Sequence, residues 1–237
     1  MLKQILALLN LSLTRNQKYD ACTRKIISQT IHKDSTCIDI GCHTGEILDL
    51  MIAGAPSGKK IGFEPIPELY NQLLEKYKNN ASISIYDVAL YDECGTTSFQ
   101  HVVNSPAYSG IKKRNYDGQN VKIEQITVKT NLLDNIIPST MKVDLIKIDV
   151  EGAEFNVLKG AKTTIIRNKP VIIFEFGLGA ADYYNSKPNE LFDFLCGTCG
   201  MKLATLKGFL KKSAPLKEDD FKMLFEKGKE YYFVSYS

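Results

Sequence analysis

The sequence predicts an α/β protein built on an open, mostly parallel sheet, and three observations support this fold class. First, an apolar segment over 37–41 ends in a glycine-containing loop, and residues with helical spacing follow over 46–54. Second, a short apolar strand pattern comes next at 60–64, which completes a strand–helix–strand unit. Third, the apolar segments at 143–150 and 170–176 are typical of strands that are covered on both faces.

The composition indicates a soluble globular protein. The chain has 237 residues, a length that is enough for one domain with a sizeable core. Of these residues, 44% are hydrophobic and 24% are charged, as is typical of globular proteins. Its net charge of +3 is too small to indicate a nucleic-acid partner. The six cysteines have no dense, regular spacing, so we expect free thiols and a cytoplasmic location. A single Cys196-Gly-Thr-Cys199 pair lacks the second pair of ligands that structural zinc sites need, and we expect no metal there.

The first 36 residues are predicted to form a helical extension that precedes a single domain over 37–237. One helix should end near Leu13, and a second is expected over 21–31 with Asp20 as its N-cap. The apolar run of the first helix is too short to span a bilayer, and no signal-peptide cleavage site follows it. We expect this helix to pack on the domain, with peripheral membrane contact as the alternative.

The loop after the first strand carries the clearest ligand-binding pattern, which is Asp39-x-Gly41-x-x-x-Gly45. Glycines permit a positive φ or a close backbone approach, and the loop amides and the helix N-terminus supply partial positive charge. Glu64 ends the second strand, where an acid can accept hydrogen bonds from two ribose hydroxyls. Because Cys42 replaces the middle glycine of the dinucleotide motif, the pattern fits S-adenosylmethionine better than NAD. The alternatives are ordinary turn glycines and a solvated acid at a strand end.

The middle of the chain is predicted to add strands and a loop over the site. A helix is expected over 67–79, followed by a third strand over 83–90, with Asp87 near the position of an adenine. The polar segment that comes later is long enough to be a functional loop. A strand is predicted at 96–103, this loop at 104–120, a second strand at 121–129 and a short helix at 130–138.

The strand at 143–150 has charges in an otherwise apolar run. Lys147 and Asp149 are two residues apart and so lie on one face of the strand. Because an unpaired buried charge is expensive, they must pair or face a cleft at the carboxyl end of the sheet. Glu151 follows closely, and Glu175 lies near the exit of the next strand. We expect Asp149, Glu151 and Glu175 to converge beside the glycine loop, with Lys147 fixing their charge state.

This carboxylate cluster is predicted to orient or deprotonate an acceptor hydroxyl, with Asp149 or Glu151 as the base and Glu175 in support. Holding an oxygen-liganded cation is an alternative. Lys147 could also be only a structural partner, and Glu151 could only stabilise a helix dipole. The rest of the chain should complete the sheet with a helix and two closing strands, over 189–200, 201–206 and 230–236.

Several motifs together resemble the FkbM family of S-adenosylmethionine-dependent methyltransferases, over about residues 36–176. The most specific is Asp-Leu-Ile-Lys-Ile-Asp-Val-Glu-Gly-Ala-Glu at 144–154. The others are Ile-Asp-Ile-Gly-Cys-His-Thr-Gly at 38–45, Gly-Phe-Glu-Pro at 62–65, Asp-Val-Ala-Leu at 87–90 and Thr-Asn-Leu-Leu-Asp at 130–134.

The resemblance implies a Rossmann-like class I methyltransferase fold. Such a fold has a seven-stranded, mostly parallel sheet with helices on both faces and an antiparallel C-terminal strand. The resemblance also implies that Gly41 and Gly45 lie at the methionine part of the cofactor and Glu64 at its ribose. Asp87, with the neighbouring Val88, is implied to lie near the adenine.

The rest of the loop is implied to contact the cofactor as well, through Asp39 and through Cys42 and His43, where the family often has Ala-Asn. Backbone contacts should survive this difference. The implied reaction is O-methylation of a hydroxyl on a small molecule or glycan.

Two other functions compete with this one. A nicotinamide-dependent oxidoreductase would share the layered fold, but the middle glycine of its motif is missing. A non-catalytic scaffold would gain nothing from the charged strand around Lys147. The sequence indicates neither the acceptor nor the oligomeric state.

Overall fold

Ten strands form two sheets in a computed structural model that describes residues 14–114, 116 and 120–237. The predicted helix that ends near Leu13 lies outside these residues. The strands are β1 (Cys37–Ile40), β2 (Lys60–Phe63), β3 (Ile83–Tyr86), β4 (Val88–Leu90), β5 (Gly95–Val102), β6 (Ile123–Asn131), β7 (Leu145–Ile148), β8 (Val171–Glu175), β9 (Lys202–Thr205) and β10 (Tyr232–Tyr236).

The main sheet has seven strands in the order β3-β2-β1-β7-β8-β10-β9. Only β10 runs antiparallel to its neighbours, so the predicted mostly parallel sheet with an antiparallel C-terminal strand is confirmed. From β1 the chain continues to one side of the sheet, and from β7 it continues to the other side. Ligands bind where the strand order reverses in this way, so the carboxyl ends of β1 and β7 mark the expected site.

Helices cover both faces of the main sheet, as predicted. The helices are α1 (Arg15–Thr30), α2 (Glu46–Gly54), α3 (Pro67–Tyr77), α4 (Leu133–Ile136), α5 (Glu154–Gly160), α6 (Lys162–Asn168), α7 (Pro188–Phe192), α8 (Leu206–Leu210) and α9 (Glu218–Glu226). Alternate residues of β7 point into two separate cores: Ile146 packs with α5, α6 and α9, and Leu145 packs with α1, α2 and α8. Strands buried on both faces explain the near-continuous apolar runs in the sequence.

Helix α1 is longer than the sequence pattern predicted, and its N-cap is a different residue. The helix begins after Thr14, whose hydroxyl accepts a hydrogen bond from the backbone N–H of Gln17 at 3.2 Å. The Gln17 side chain in turn accepts one from the Thr14 N–H at 3.0 Å, which completes a capping box. The prediction of Asp20 as the cap was therefore wrong, and Asp20 lies inside the helix. In the part of the chain that the structure describes, no helix has the length and hydrophobicity of a membrane span.

The predicted third strand over 83–90 is two strands, because the chain leaves the main sheet at Asp87. After this break, β4 pairs in parallel with β6, and β6 pairs antiparallel with β5. The apolar positions change phase at this break, from Ile83 and Ile85 before it to Val88 and Leu90 after it. The resulting three-stranded sheet stands beside the carboxyl end of β2 and contributes Val88 and Phe99 to the site described below.

Candidate functional site

A cavity of about 570 Å³, partly open to solvent, lies at the carboxyl ends of β1, β2 and β7. Polar groups from the glycine loop and from β7 line one side of the cavity. Apolar side chains form the opposite wall, among them Phe63, Ile66, Val88, Leu90, Phe99 and Ile111.

The glycine loop is packed directly against the end of β7. Gly41 has a φ of +75° and Gly45 a φ of +81°, and His43 between them also has a positive φ of 47°. A Cβ on Gly41 would lie 1.9 Å from the carbonyl oxygen of Asp149, so no other residue fits there. The loop therefore needs glycine at position 41 both for its backbone conformation and for its close contact with β7.

The backbone N–H groups of this loop are used within the protein. Those of Gly41 and Cys42 donate to the carbonyl of Phe63, at 3.0 and 3.1 Å. That of His43 donates to a carboxylate oxygen of Glu64 at 2.9 Å. The sequence led us to expect free donors for a ligand here. In the structure these three amides instead hold the loop against β2.

Glu64 lies at the edge of the cavity with only 4% of its surface exposed. One carboxylate oxygen accepts the His43 N–H, and the other accepts the N–H of Ile66 at 3.0 Å. Burial raises the pKa of Glu64 to about 7, although these two hydrogen bonds lower it. The solvated strand end, which was the alternative interpretation of Glu64, is thereby excluded. Each oxygen keeps room for a second hydrogen bond.

Asp39 is buried on the other side of the loop, at 1% exposure. Neither of its carboxylate oxygens accepts a hydrogen bond of normal geometry from the described residues. Its position on β1 is directly opposite Lys147 on β7. Burial raises the pKa of Asp39 to about 6, against the lowering effect of the Lys147 charge. A buried carboxylate with unused acceptors is costly, which marks Asp39 as a place for a ligand donor.

Asp149, at the end of β7, is held by two donors on a single oxygen. The Nζ atom of Lys147 lies 2.5 Å from Oδ2, and the hydroxyl of Tyr232 donates to the same oxygen at 2.7 Å. Although burial raises the pKa of Asp149, these two partners outweigh it and lower the pKa below its usual value. Burial likewise lowers the pKa of Lys147, but the charges of Asp149 and Asp39 raise it overall. Both members of the pair are therefore ionised near neutral pH.

Glu151 lies two residues after Asp149. Its backbone has a φ of 58°, which is unusual for a residue other than glycine. Its carboxylate forms an ion pair with Arg114. Burial, and next the charge of Asp149, raise the pKa of Glu151 to about 8, while Arg114 lowers it. The buried Glu154 fixes this turn, because its Oε1 accepts the N–H groups of Val150 at 3.0 Å and Gly152 at 3.1 Å.

Glu175 ends β8 and lies opposite Tyr232 across the β8–β10 pair. Burial, followed by the charges of Asp149 and Glu151, raises its pKa well above the usual range. One oxygen from each of Asp149, Glu151 and Glu175 lies within 4.8 Å of the other two. The structure thus brings together the three carboxylates that the sequence assigned to this edge, while their roles stay predictions. Lys147 and Arg114 supply positive charge beside the cluster.

Asp87 and Val88 are placed differently from each other. The Asp87 side chain is about half exposed and forms an ion pair with Lys129 at 2.8 Å, outside the lining of the cavity. Val88 lines the cavity directly. The role of Asp87 near an adenine stays a prediction, and in this structure Val88 is the member of the pair that faces the site.

Two residues that the sequence reading missed belong to the site. Tyr232 is separated from Asp149 by 83 positions, and nothing in its alternating strand pattern distinguishes it from other buried tyrosines. Arg114 lies in the polar segment 104–120, which was expected to cover the site. Within the described part of that segment, Pro106, Ala107, Ser109 and Ile111 do line the cavity.

Comparison with known proteins adds to this geometry. The model of the methyltransferase FkbM domain family matches residues 39–210, which is more than half of the chain. The 2-O-methyltransferase NoeI of Sinorhizobium fredii is 27% identical over 159 residues. That alignment covers 62% of this chain and 65% of NoeI, so the chain spans less than two thirds of the relative.

Among solved structures, the methyltransferase FkbM from Methylobacillus flagellatus KT is similar with a TM-score of 0.54 at 15% identity. The match covers 87% of this chain and 44% of that one. This likeness concerns the fold, and it confirms the class I methyltransferase architecture. The match over 39–210 goes further and shows that the chain belongs to the methyltransferase FkbM domain family.

Proposed function

We propose that this protein uses S-adenosylmethionine to methylate a hydroxyl oxygen of a sugar, a glycan or a secondary metabolite. Membership of a methyltransferase family supports the reaction class, and the name of the 2-O-methyltransferase NoeI supports oxygen as the acceptor atom. The observation that carries the proposal is the placement of two buried carboxylates, Asp39 and Glu64, on either side of the glycine loop.

The residues around the loop fit the cofactor. Glu64 has acceptor positions left for ribose hydroxyls after binding two backbone amides. The unused oxygens of Asp39 suit the ammonium group of an amino acid. The apolar wall with Val88 and Phe99 suits an adenine ring. When bound, the cofactor supplies a methyl group on a positively charged sulfur, which no side chain can provide.

The carboxylate cluster would position and deprotonate the acceptor hydroxyl. Asp149 is ionised and fixed by Lys147 and Tyr232 through Oδ2, so it is well suited to orient a hydroxyl through its other oxygen. Glu151 has a raised pKa of about 8, so its ionised form is a stronger base than that of Asp149. We therefore assign orientation to Asp149 and proton removal to Glu151, with Glu175 in a supporting role.

A small molecule or a glycan is the proposed acceptor, rather than a nucleic acid. The net charge of +3 is low, and the candidate acceptor side of the site is lined by acids that would repel phosphates. We also propose a cytoplasmic location, in keeping with the six cysteines, all of which are free thiols.

The cofactor is tested by calorimetric titration with S-adenosylhomocysteine, with NAD as the competing ligand. We expect micromolar binding of S-adenosylhomocysteine, no binding of NAD, and loss of binding in Glu64→Ala. Glu68→Ala is a matched control, since Glu68 is an exposed acid at the start of α3. Binding of NAD alone would favour the oxidoreductase, and binding of neither ligand would favour the scaffold.

The acceptor chemistry is tested by transfer of a labelled methyl group to a panel of hydroxylated sugars and metabolites. We expect Asp149→Asn to bind S-adenosylhomocysteine normally and to lose turnover, since the substitution removes the charge that orients the hydroxyl. Normal turnover in Asp149→Asn would contradict the assigned role. Thermal unfolding of each variant shows whether it is folded.

A further inference from the structure

A second recess lies on the side of the glycine loop that faces helix α1. It is lined by Asp39, Gly41 and Thr44 of the β1–α2 region and by Lys147 and Asp149 of the β7 region. An adjoining recess shares its Lys147 and Asp149 lining and extends along α1. The α1 side chains that line the two recesses are those of Asp20, Thr23 and Arg24. Helix α1 therefore forms a wall of the space next to the glycine loop.

Acidic side chains outnumber basic ones in the lining of these two recesses. The acids are Asp20, Asp39, Glu46, Asp149 and Glu151. The lysine and arginine side chains are those of Lys147 and Arg24. Lys147 is buried and forms an ion pair with Asp149, with 2.5 Å between Nζ and Oδ2. Among the described residues that line the two recesses, Arg24 is therefore the cation that a ligand with a negative group could bind.

Arg24 is available for such a ligand. It is exposed, and among the described residues it forms no ion pair within 4.0 Å. Asp20 lies one turn earlier on the same helix. Burial raises its pKa overall, and the charges of Arg24 and Lys147 oppose this rise. Asp20 is thus close enough to both cations for their charges to affect its ionisation.

Together, the two adjoining recesses offer complementary charges to a zwitterion. Asp39, in the lining of the first recess, has two buried oxygens that accept no hydrogen bond of normal geometry from the described residues. Arg24, in the lining of the adjoining recess, forms no ion pair with those residues. An amino-acid group carries one ammonium and one carboxylate on the same carbon. Of the parts of the proposed cofactor, only its methionine end has this pair of charges.

We propose that Arg24 of α1 binds the α-carboxylate of the amino-acid end of S-adenosylmethionine, while Asp39 accepts hydrogen bonds from its ammonium. The inference rests on the proposed function and adds a binding residue from outside the segment 39–210 that the family model matches. The planar guanidinium suits a carboxylate, since it can donate two parallel hydrogen bonds. Helix α1 is then part of the cofactor site rather than only a support for the sheet.

The test separates the amino-acid end of the cofactor from its nucleoside. S-Adenosylhomocysteine has both parts, and 5′-methylthioadenosine lacks the amino acid, so both are titrated by calorimetry into the full chain. We expect Arg24→Gln to weaken binding of S-adenosylhomocysteine about tenfold or more and to leave 5′-methylthioadenosine unchanged. Arg24→Lys should recover part of the loss, because it keeps the charge without the fork. Lys25→Gln is the matched control, an exposed cation one position away.

Each other outcome has a defined meaning. Unchanged affinity of Arg24→Gln for S-adenosylhomocysteine would overturn the inference. So would an equal loss for both ligands, since that would indicate a displaced helix, or a normal affinity combined with a raised KM for the acceptor. Failure of the unmodified protein to bind either ligand would instead overturn the proposed function. Thermal unfolding confirms that the variants are folded.

Discussion

Tyr232 donates its hydroxyl hydrogen to Oδ2 of Asp149 across 2.7 Å and so connects β10 with β7 over the intervening strand β8. The strand register explains this contact between Tyr232 and Asp149, because Tyr232 is paired with Glu175 at the carboxyl end of β8. The Nζ atom of Lys147 contacts the same oxygen at 2.5 Å. Two donors on one oxygen fix the rotation of the carboxyl group.

Removal of this hydroxyl should affect turnover more than cofactor binding. Tyr232→Phe keeps the ring, which contacts Tyr19 and Tyr231, and removes one hydrogen bond. We expect kcat to fall about tenfold or more, as one lost hydrogen bond to a charged group implies, with an unchanged KM for S-adenosylmethionine. The pKa of Asp149 should also rise, because one of the donors that lower it is lost.

Steady-state kinetics over a range of pH would measure this effect. Tyr236→Phe, on the same strand and packed against Phe209, is the control that should leave kcat unchanged. A purely structural Tyr232 would lower the unfolding temperature without a selective loss of kcat.

The reaction rate should follow the ionisation of Glu151. A base must lose its proton before it can accept another, and burial raises the pKa of this group to about 8 in the ligand-free protein. We expect kcat/KM to rise with pH through about 8, and we expect Glu151→Gln to be slow and independent of pH in this range. A rate for the unmodified enzyme that is flat between about pH 7 and 9 would rule out Glu151 as the base.

Cofactor binding should weaken as the pH falls below about 7. Glu64 has a pKa of about 7 because of its burial, and ribose hydroxyls donate to the ionised carboxylate in preference to the protonated one. Binding then lowers this pKa and releases a proton. Calorimetry at about pH 6.5 in two buffers of different ionisation enthalpy measures that release. Glu64→Gln should release no proton, and an equal release from this variant would assign the effect to another group.

The ligand-free protein should become less stable as the pH rises from about 5 to 8. Asp39, Glu64 and Glu154 have folded-state pKa values of about 6, 7 and 7, above the ordinary carboxyl values of 3.8 and 4.5. The native state therefore binds more protons than the unfolded state in this range. The resulting stabilisation is complete below the unfolded pKa values and is lost as the pH rises through the folded ones.

The midpoint of thermal unfolding, measured without ligand, would show this trend. Glu154→Gln should be more stable than the unmodified protein at pH 8 and should have a smaller pH dependence, because the amide oxygen can still accept the N–H groups of Val150 and Gly152. A midpoint that instead increases from pH 5 to 8 would contradict the raised folded-state pKa values of these three carboxyl groups.

Local and topological rules account for the part of the site that could be predicted. A strand followed by a glycine loop places Gly41 at a carboxyl end, and parallel strands place Asp149 and Glu175 at the same edge of the sheet. The spacing of Lys147 and Asp149 fixes their common face. These inferences need only the direction of each strand, which the apolar runs and their connections supply.

The rest of the site depends on contacts that no local pattern encodes. Tyr232 reaches Asp149 only because β10 inserts beside β8, and Arg114 reaches Glu151 only through the path of a polar loop. The extent of α1 was underestimated for a different reason. Its capping box at Thr14 lies before the apolar periodicity becomes visible, so the start of the periodic pattern was taken as the start of the helix.

The position of β10 also fixes the order in which a newly made chain can acquire its active site. Ribosomes make β8 and β9 before β10, yet β10 lies between them in the sheet. A chain emerging from the ribosome therefore carries Asp149 and Glu175 long before the strand that brings Tyr232 to them. The position beside β8 that β10 will occupy has to stay open during that interval. Methyl transfer by a partly synthesised chain should therefore be weak until β10 has inserted.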